Sequence, residues 1–265
     1  MGKILNTQIM GILNVTPDSF SDGGLYRKLP EAVVQAEKMI EAGADIIDIG
    51  GESTRPGSEP ISLQEEMDRV LPVLDKLADH DVEISIDTTK PKLAHEALKR
   101  GADIINDIYG LQYGSLIAEY VAKYRAKLII MHMKGIPKTM QLDPDSKDII
   151  QEITNFFKDQ SKIALEKGVK KDNIILDPGI GFGKRLEDNI RILKELKTFQ
   201  DMGFPLLLGA SRKSMIGDIS GAKVTQRLPG SLAIACVAAQ RGVDIIRVHD
   251  VAETVQALKI IENIW

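Results

Sequence analysis

Gly43-Ala-Asp-Ile-Ile-Asp-Ile-Gly50 returns twice further along the chain, as Gly101-Ala-Asp-Ile-Ile-Asn-Asp-Ile108 and Gly242-Val-Asp-Ile-Ile-Arg-Val-His249. Each copy closes a helical segment with glycine, runs through an apolar strand and ends on polar or charged residues. A unit of this kind, repeated, suggests a ring of strands and helices whose strand ends point chemistry at one place.

Working outward, eight strand–helix units can be marked. The strands fall at 8–15, 45–49, 83–87, 103–108, 127–131, 173–176, 205–208 and 244–248. The helices fall at about 30–42, 62–77, 91–100, 115–123, 146–167, 186–200, 225–241 and 252–264. The strands are mostly unbroken Ile, Leu and Val, as expected of a parallel sheet covered by helices on one side and filled on the other. Gly43, Gly101, Gly168 and Gly242 each follow a helix, where a left-handed C-cap favours glycine. No interdomain linker is evident. The predicted fold is therefore an α/β, single-domain (β/α)8 TIM barrel spanning residues 1–265, a usual size for that architecture. A doubly wound open sheet is the rival, but the first strand is not followed by a G-x-G-x-x-G turn.

Composition excludes several functions. The formal net charge is -4, with no Lys/Arg-rich run, so no nucleic-acid partner is expected. No stretch reaches membrane-spanning length and the N-terminus lacks an apolar signal core, so no membrane partner is expected either. One cysteine, Cys236, cannot form an internal disulfide. A reducing, cytoplasmic location fits.

In such a barrel the C-terminal strand ends build the active site. Here they carry Asn14, Thr54 and Arg55, Asp87, Asn106, His132 after Met131, Asp177, Arg212 and Lys213, and Arg247 with His249. Asp87, Asn106, Asp177 and Lys213 suit a flat heterocycle with several N–H donors and ring acceptors, because a carboxylate takes two parallel N–H bonds from an amidine-like edge. Arg247 and His249 share one strand face. With Arg55 and nearby Asn14 they read as a phosphate or pyrophosphate site. Asn14 also offers one hard oxygen, enough for Mg²⁺ that takes its other ligands from phosphate and water. No HExxH or Cys/His cluster suggests zinc. Three loops, 16–24 around Phe20, 51–58, and 177–183 around Phe182, look applied to ligand. The first two contain little apolar material to anchor them and are expected to be mobile.

These residues resemble the dihydropteroate synthase family over almost the whole chain. The resemblance rests on Met10-Gly-Ile-Leu-Asn-Val-Thr-Pro-Asp-Ser-Phe-Ser-Asp-Gly-Gly24 and Asp48-Ile-Gly-Gly-Glu-Ser-Thr-Arg-Pro-Gly57. It continues through Ser85-Ile-Asp-Thr88, Asn106-Asp107, Asp177-Pro-Gly-Ile-Gly-Phe-Gly-Lys184, Ser211-Arg-Lys-Ser214 and Arg247-Val-His249. It implies a transferase that joins 6-hydroxymethyl-7,8-dihydropterin diphosphate to p-aminobenzoate, releasing pyrophosphate, with Mg²⁺ as cofactor. It further implies a cytoplasmic homodimer and a sulfonamide target. Carried over, Asp87, Asn106, Met131, Asp177 and Lys213 would hold the pterin. Asn14 with Mg²⁺, Arg55, Arg247 and His249 would hold the diphosphate. Phe20, Thr54, Pro56, Phe182, Arg212 and Ser214 would border p-aminobenzoate. Asp87, Lys213, Arg247 and His249 would be the catalytic set. Two alternatives remain at this level. A corrinoid-type pterin methyltransferase shares the barrel and the pterin carboxylates but does not need the Ser211–Ser214 and Arg247/His249 groups. A non-catalytic barrel should have lost some of the charged strand ends.

Overall fold

The apolar runs become parallel strands because a helix follows each one and returns the chain to the same edge of the sheet. The structure, a computed structural model, describes residues 6–16, 25–54, 57–135, 140 and 146–264. The strands are β1 Gln8–Asn14, β2 Ile46–Gly50, β3 Glu83–Asp87, β4 Ile104–Asp107, β5 Lys127–Met131, β6 Ile174–Asp177, β7 Leu207–Leu208 and β8 Ile245–Val248. They pair in the order β6-β5-β4-β3-β2-β1-β8-β7. The ring closes through a parallel bridge between Leu176 and Leu206. There Leu176 N–H donates to the Pro205 carbonyl at 2.9 Å. Pro205 has no N–H to give in return, and β7 is shorter than the expected run 205–208.

The helices are α1 Leu25–Glu41, α2 Leu63–Leu77, α3 Pro91–Lys99, α4 Leu116–Tyr124, α5 Ile149–Glu166, α6 Leu186–Lys194, α7 Leu196–Gln200, α8 Ser214–Ser220, α9 Leu228–Gln240 and α10 Val251–Ile264. Local chemistry sets several starts. Ser62 Oγ accepts Glu65 N–H at 3.2 Å to begin α2, and Asp148 does the same for Gln151 N–H at 3.3 Å to begin α5. Pro91 opens α3, where its missing N–H costs nothing.

Three expectations shift. α1 begins at Leu25, ahead of Pro30, which sits inside the helix. The expected single helix 186–200 breaks at Glu195, and the break lets both Leu196 and Phe199 turn into the core. An extra helix, α8, occupies a stretch expected to be loop and buries Met215 and Ile216 before Gly221 ends it at φ 75°.

Side chains alternate across each strand. One inward tier is an apolar plug of Met10, Ile46, Ile104, Ile129, Ile175, Leu207 and Ile245, all nearly or wholly buried. The outer faces of the strands pack against the helices in a second, larger cluster. The barrel is therefore filled at its centre, and ligand space is confined to the mouth.

Candidate active site

Two residues beyond the plug the inward position changes character on most strands, β1 keeping an apolar Ile12. It reads Asp48 on β2, Asn106 on β4, Met131 on β5, Asp177 on β6 and Arg247 on β8, with Gly209 just past β7. On β3, Asp87 stands two residues after the buried Ser85. The period of two along a strand thus converts a greasy layer into a polar one in a single step. Two glycines leave room in that layer. A Cβ at Gly50 would lie 3.7 Å from Asn14 Oδ1 and 3.7 Å from Asp87 Cβ; one at Gly209 would lie 3.8 Å from Arg247 Cβ and 4.0 Å from Asp177 Oδ2.

Arg247 joins the carboxylates. Its Nε donates to Asp48 Oδ2 at 2.6 Å and its Nη2 to Asp87 Oδ2 at 2.9 Å. Asn106 Nδ2 donates to the same Asp48 oxygen at 3.2 Å. Asp48 is wholly buried, yet among the described residues its Oδ1 has no partner; neither have Asn106 Oδ1 and Ser85 Oγ. Buried acceptors left open cost about 1–3 kcal/mol each unless something completes them. Such a layer is suited to receive N–H donors or water. Burial pushes the Asp87 carboxyl up to about 7, although Arg247 pulls it down. Burial also raises Asp177, against Lys213, the Gly179 N–H and Arg247.

The other wall is built by the loop after β6. Asp177 Oδ1 accepts Gly179 N–H at 2.8 Å. Lys213 Nζ donates to the Ile180 carbonyl at 2.5 Å and lies 4.2 Å above the Phe182 ring. Burial lowers Lys213 to about 8 while Asp177 supports its charge. Lys184 is buried and gives its three protons to the carbonyls of His132 (3.0 Å), Gly179 (2.8 Å) and Phe182 (3.0 Å). It therefore sews the β5 and β6 loops together. Burial lowers it to about 7, opposed by Asp177. Met131 is buried with Ile108, Met133 and Met140, and Phe182 packs on that cluster.

At the rim, Ser211 Oγ stands 3.0 Å from His249 Nδ1. Burial, then the positive charges of Arg247 and Arg212, lower His249 to about 4. His249 at that value is neutral at pH 7, and among the described residues the anion site that the sequence reads as cationic keeps Arg247 as its charged member. Arg247 itself does not stand apart from the heterocycle group, because it bonds directly to Asp87. Arg212 is exposed, pairs with Asp250 through Nε at 2.9 Å and takes a left-handed backbone at φ 57°. Ser214 is exposed at the start of α8, and Thr54 is half-buried beyond β2. Phe20, Arg55 and Pro56 lie outside the described residues. His132 is buried against the Phe156 edge, with ring centroids 5.0 Å apart. What it gives the mouth is its carbonyl, held by Lys184.

Sequence reasoning gave Asp48, Ser85 and Lys184 no role. Asp48 had a legible signal, a lone carboxylate inside Ile46-Ile-Asp-Ile49, in phase with the core-facing Ile46. Lys184 had none, because a lysine after a glycine run reads as solvent-exposed until the carbonyls around it are placed.

A barrel whose mouth sets buried carboxylates and an amide beside Arg247 and Lys213 defines a pterin-binding enzyme. In agreement, residues 10–249 match the family model of pterin binding enzymes. A dihydropteroate synthase of Escherichia coli is 49% identical over 255 residues, covering 96% of this chain and 90% of its own. A Yersinia pestis dihydropteroate synthase solved with a sulfonamide drug superposes with a TM-score of 0.91 at 47% identity, covering 97% of this chain and 94% of its own. The Xanthomonas albilineans enzyme in complex with 7,8-dihydropteroate gives 0.87 at 38% identity, covering 97% and 93%. The chain belongs to the dihydropteroate synthase family. It is a transferase, and the condensation that forms dihydropteroate in folate biosynthesis is its reaction.

Proposed function

We propose that the barrel mouth performs this condensation by dividing the pterin diphosphate between its two walls. Asp87, Asn106 and Asp177 accept the N–H groups of the pterin, and Lys213 donates to a ring acceptor and stacks Phe182 over the plane. Met131 floors the pocket. The open acceptors of Asp48 and Asn106 are the observation that carries this reading, since they call for N–H donors. Arg247 and the Nε2–H of neutral His249 face the diphosphate, with Arg55 as a further cation and Ser211 steadying the imidazole. An open cleft of about 600 Å³ lined by Asn14, Lys38, Arg212, His249 and Asp250 adjoins this rim.

C–O cleavage leaves negative charge on the diphosphate and positive charge on the pterin methylene. Arg247 stabilises the first, and the carboxylate of Asp87 the second. The arylamine then attacks without needing a strong base. Phe20, Thr54, Pro56, Phe182, Arg212 and Ser214 would border p-aminobenzoate, the position a sulfonamide would contest. Asn14 Oδ1 and Asp87 both border the space over Gly50, and among the described residues no group of three His, Cys, Asp or Glu side chains is placed to hold a metal. A single amide oxygen fits Mg²⁺ that brings most of its coordination with the substrate; bound there, it would neutralise charge on the departing diphosphate. The decisive assay is pyrophosphate release. It should require both substrates, and release with pterin diphosphate alone at the same rate would refute coupling to p-aminobenzoate.

The rate should show a bell-shaped pH profile. Asp87 must be ionised, and its carboxyl sits at about 7. Lys213 must keep its proton, and it sits at about 8, with Lys184 at about 7 adding to the alkaline fall. kcat/KM for pterin diphosphate should therefore rise toward pH 7 and decline above about 8, as a property of the coupled cluster. The stability sign is opposite on the acid side. The folded protein holds a proton on Asp87 that the unfolded chain releases near 3.8, so this group's contribution falls as pH rises from 3.8 to 7. A flat kcat/KM from pH 6 to 9 would remove these groups from the chemistry.

We further propose a homodimer through α8, α9 and α10. α9 is apolar on all sides, and a helix of that kind is ordinarily covered. Val237 on α9, Ile219 on α8 and Ile260 and Ile264 on α10 are exposed large hydrophobics, and α9 packs against both neighbours. Light scattering should give twice the chain mass for the native protein and the single mass for Val237→Glu/Ile260→Glu. A native monomer at micromolar concentration would refute it. We place the protein in the cytoplasm, on the support of its single unpaired cysteine; no helix among the described residues is long and apolar enough to cross a membrane.

A further inference from the structure

The loop after β2 carries Thr54, and its described part is fastened at both ends by charge. Glu52 Oε2 accepts the ammonium of Lys90 and also the N–H of Ile61, at 3.3 Å, so one carboxylate closes the chain from 52 to 61 on itself. Ser58 Oγ donates to the Ser53 carbonyl at 2.6 Å within that circuit. Lys90 is simultaneously bonded to Glu66 on α2, a carboxylate with 1% exposure. Arg69, one turn along α2, donates to the Gly51 carbonyl at 2.7 Å. Gly51 is pressed so close to α2 that a Cβ there would meet Val70 Cγ2 at 2.8 Å and Glu66 Cγ at 3.0 Å. The expectation that this loop lacks anchors is thereby corrected for its base: the anchors are ionic, and they come from α2 and from the start of α3.

Among the described residues, the side-chain hydrogen bonds of Lys90 go to Glu52 and Glu66 and not to the pterin acceptors. Lys90 stands at the N-terminal boundary of α3, three residues after Asp87, with its N–H on Thr88 Oγ1 at 3.1 Å. Its ammonium is the sole link in this set that joins three separate segments, namely the β2 loop through Glu52, α2 through Glu66 and the β3 end through its own backbone. Burial raises the Glu66 carboxyl, and Lys90 opposes that. Lys90 in turn holds its proton more firmly than usual: burial pulls it down, but the hydrogen bonds to Glu52 and Glu66 outweigh that. One ammonium thus bridges two carboxylates. A partly buried pair of this sort is weak evidence for net stability; what it offers is geometry, one ammonium joining two segments.

We propose that Lys90 is a positioning residue for the p-aminobenzoate end of the site, acting through Glu52 to hold the loop that bears Thr54. The inference rests on the assignment of Thr54 to p-aminobenzoate made above. It predicts a split: p-aminobenzoate should suffer, whereas the pterin acceptors on β3, β4 and β6 should not.

The test uses the full-length enzyme. Glu52→Ala leaves the Lys90–Glu66 pair in place and opens the clasp. It should raise KM for p-aminobenzoate about tenfold, while kcat and the calorimetric affinity for a pterin lacking phosphate stay within about twofold. Glu52→Gln keeps an acceptor for Ile61 and Lys90 and should fall between Glu52→Ala and wild type. Lys90→Met/Glu66→Gln, which removes the ammonium without stranding the buried carboxylate, should reproduce Glu52→Ala, and Lys90→Arg should restore most of the loss. Thr54→Val serves as the control on the assignment. If it raises the p-aminobenzoate KM while Glu52→Ala does not, the clasp is overturned and the site stands. If Thr54→Val also leaves that KM unmoved, the assignment of this loop to p-aminobenzoate falls with it. Lower melting temperatures with no KM split would make the network structural only, which equally overturns the proposal.

Discussion

Arg247→Met should cost the enzyme nearly all turnover, a loss of kcat/KM of about 10³-fold or more, and should destabilise the fold most at high pH. The guanidinium holds Asp48 at 2.6 Å and Asp87 at 2.9 Å in one stroke. Removing one partner of a buried pair costs about 3–5 kcal/mol, because the charge left behind has lost both water and counter-ion. The substrate side is worse, since one change removes the cation facing the diphosphate and disorders the acceptor facing the pterin. Arg247 is also what draws Asp87 downward against burial. Without it the Asp87 carboxyl rises further, the folded state binds its proton more tightly than the unfolded chain, and stability falls as pH climbs through that window. The melting deficit should therefore widen from pH 5 to pH 8, reaching about 10 °C. Adding Asp48→Asn should recover part of the deficit and none of the turnover. Equal deficits at the two pH values would show that Arg247 does not act as the counter-ion of Asp87.

The barrel was legible because its signals are local and periodic. Gly43, Gly101, Gly168 and Gly242 each adopt positive φ behind a helix, at 99°, 99°, 93° and 75°, and the strands between them carry few polar side chains. The illegible parts depend on tertiary choices. A continuous helical pattern over 186–200 says nothing of the break at Glu195, which exists so that Phe199 can enter the core beside Phe157, with ring centroids 5.8 Å apart. α8 is too short for its period to be counted. β7 contributes two residues to the ladder, and its closure with β6 runs through a proline carbonyl that no propensity scale anticipates.

At the site, residue types were readable and their partners were not. Asn106, Asp177 and Arg247 fall at inward positions in phase with plug members on their own strands, and Asp87 pairs in register with Asn106. The sequence reading separated heterocycle acceptors from anion-binding cations by chemistry alone. The fold puts Arg247 within hydrogen-bonding distance of Asp87, so the groups are neighbours across the ring from β3 to β8. Hydrogen bonds across such separations carry no sequence signal. The same holds for His249, whose charge state is set by burial and by Arg247 and Arg212, not by its own identity. The loops at 16–24 and 55–56 lie outside the described residues, and with them Phe20, Arg55 and Pro56.

Asp177→Asn should abolish pterin binding while leaving the protein folded. Asp177 is 5% exposed, and its Oδ1 is committed to the Gly179 N–H at 2.8 Å. Asparagine can keep that bond with its carbonyl oxygen. Its other atom then becomes an NH₂ where Oδ2 had faced the mouth, so a donor meets the donor edge of the pterin. Two charge-assisted bonds of about 1.5–3 kcal/mol each are lost, which places the drop in affinity between about 10² and 10⁴. The loss spreads to Lys213. Burial lowers that ammonium to about 8 with Asp177 as its main support. Without the carboxylate its pKa falls below that value, weakening the second polar contact to the same ligand. The fold should lose some stability, because the neutral amide removes the main counter-charge of two buried ammonium groups, Lys213 and Lys184. Calorimetry with a pterin lacking phosphate and a thermal melt on the same sample separate the two effects. Pterin affinity within threefold of wild type would assign Asp177 to the Pro178-Gly179 turn alone and leave Asp48 and Asn106 as the residues that read the heterocycle.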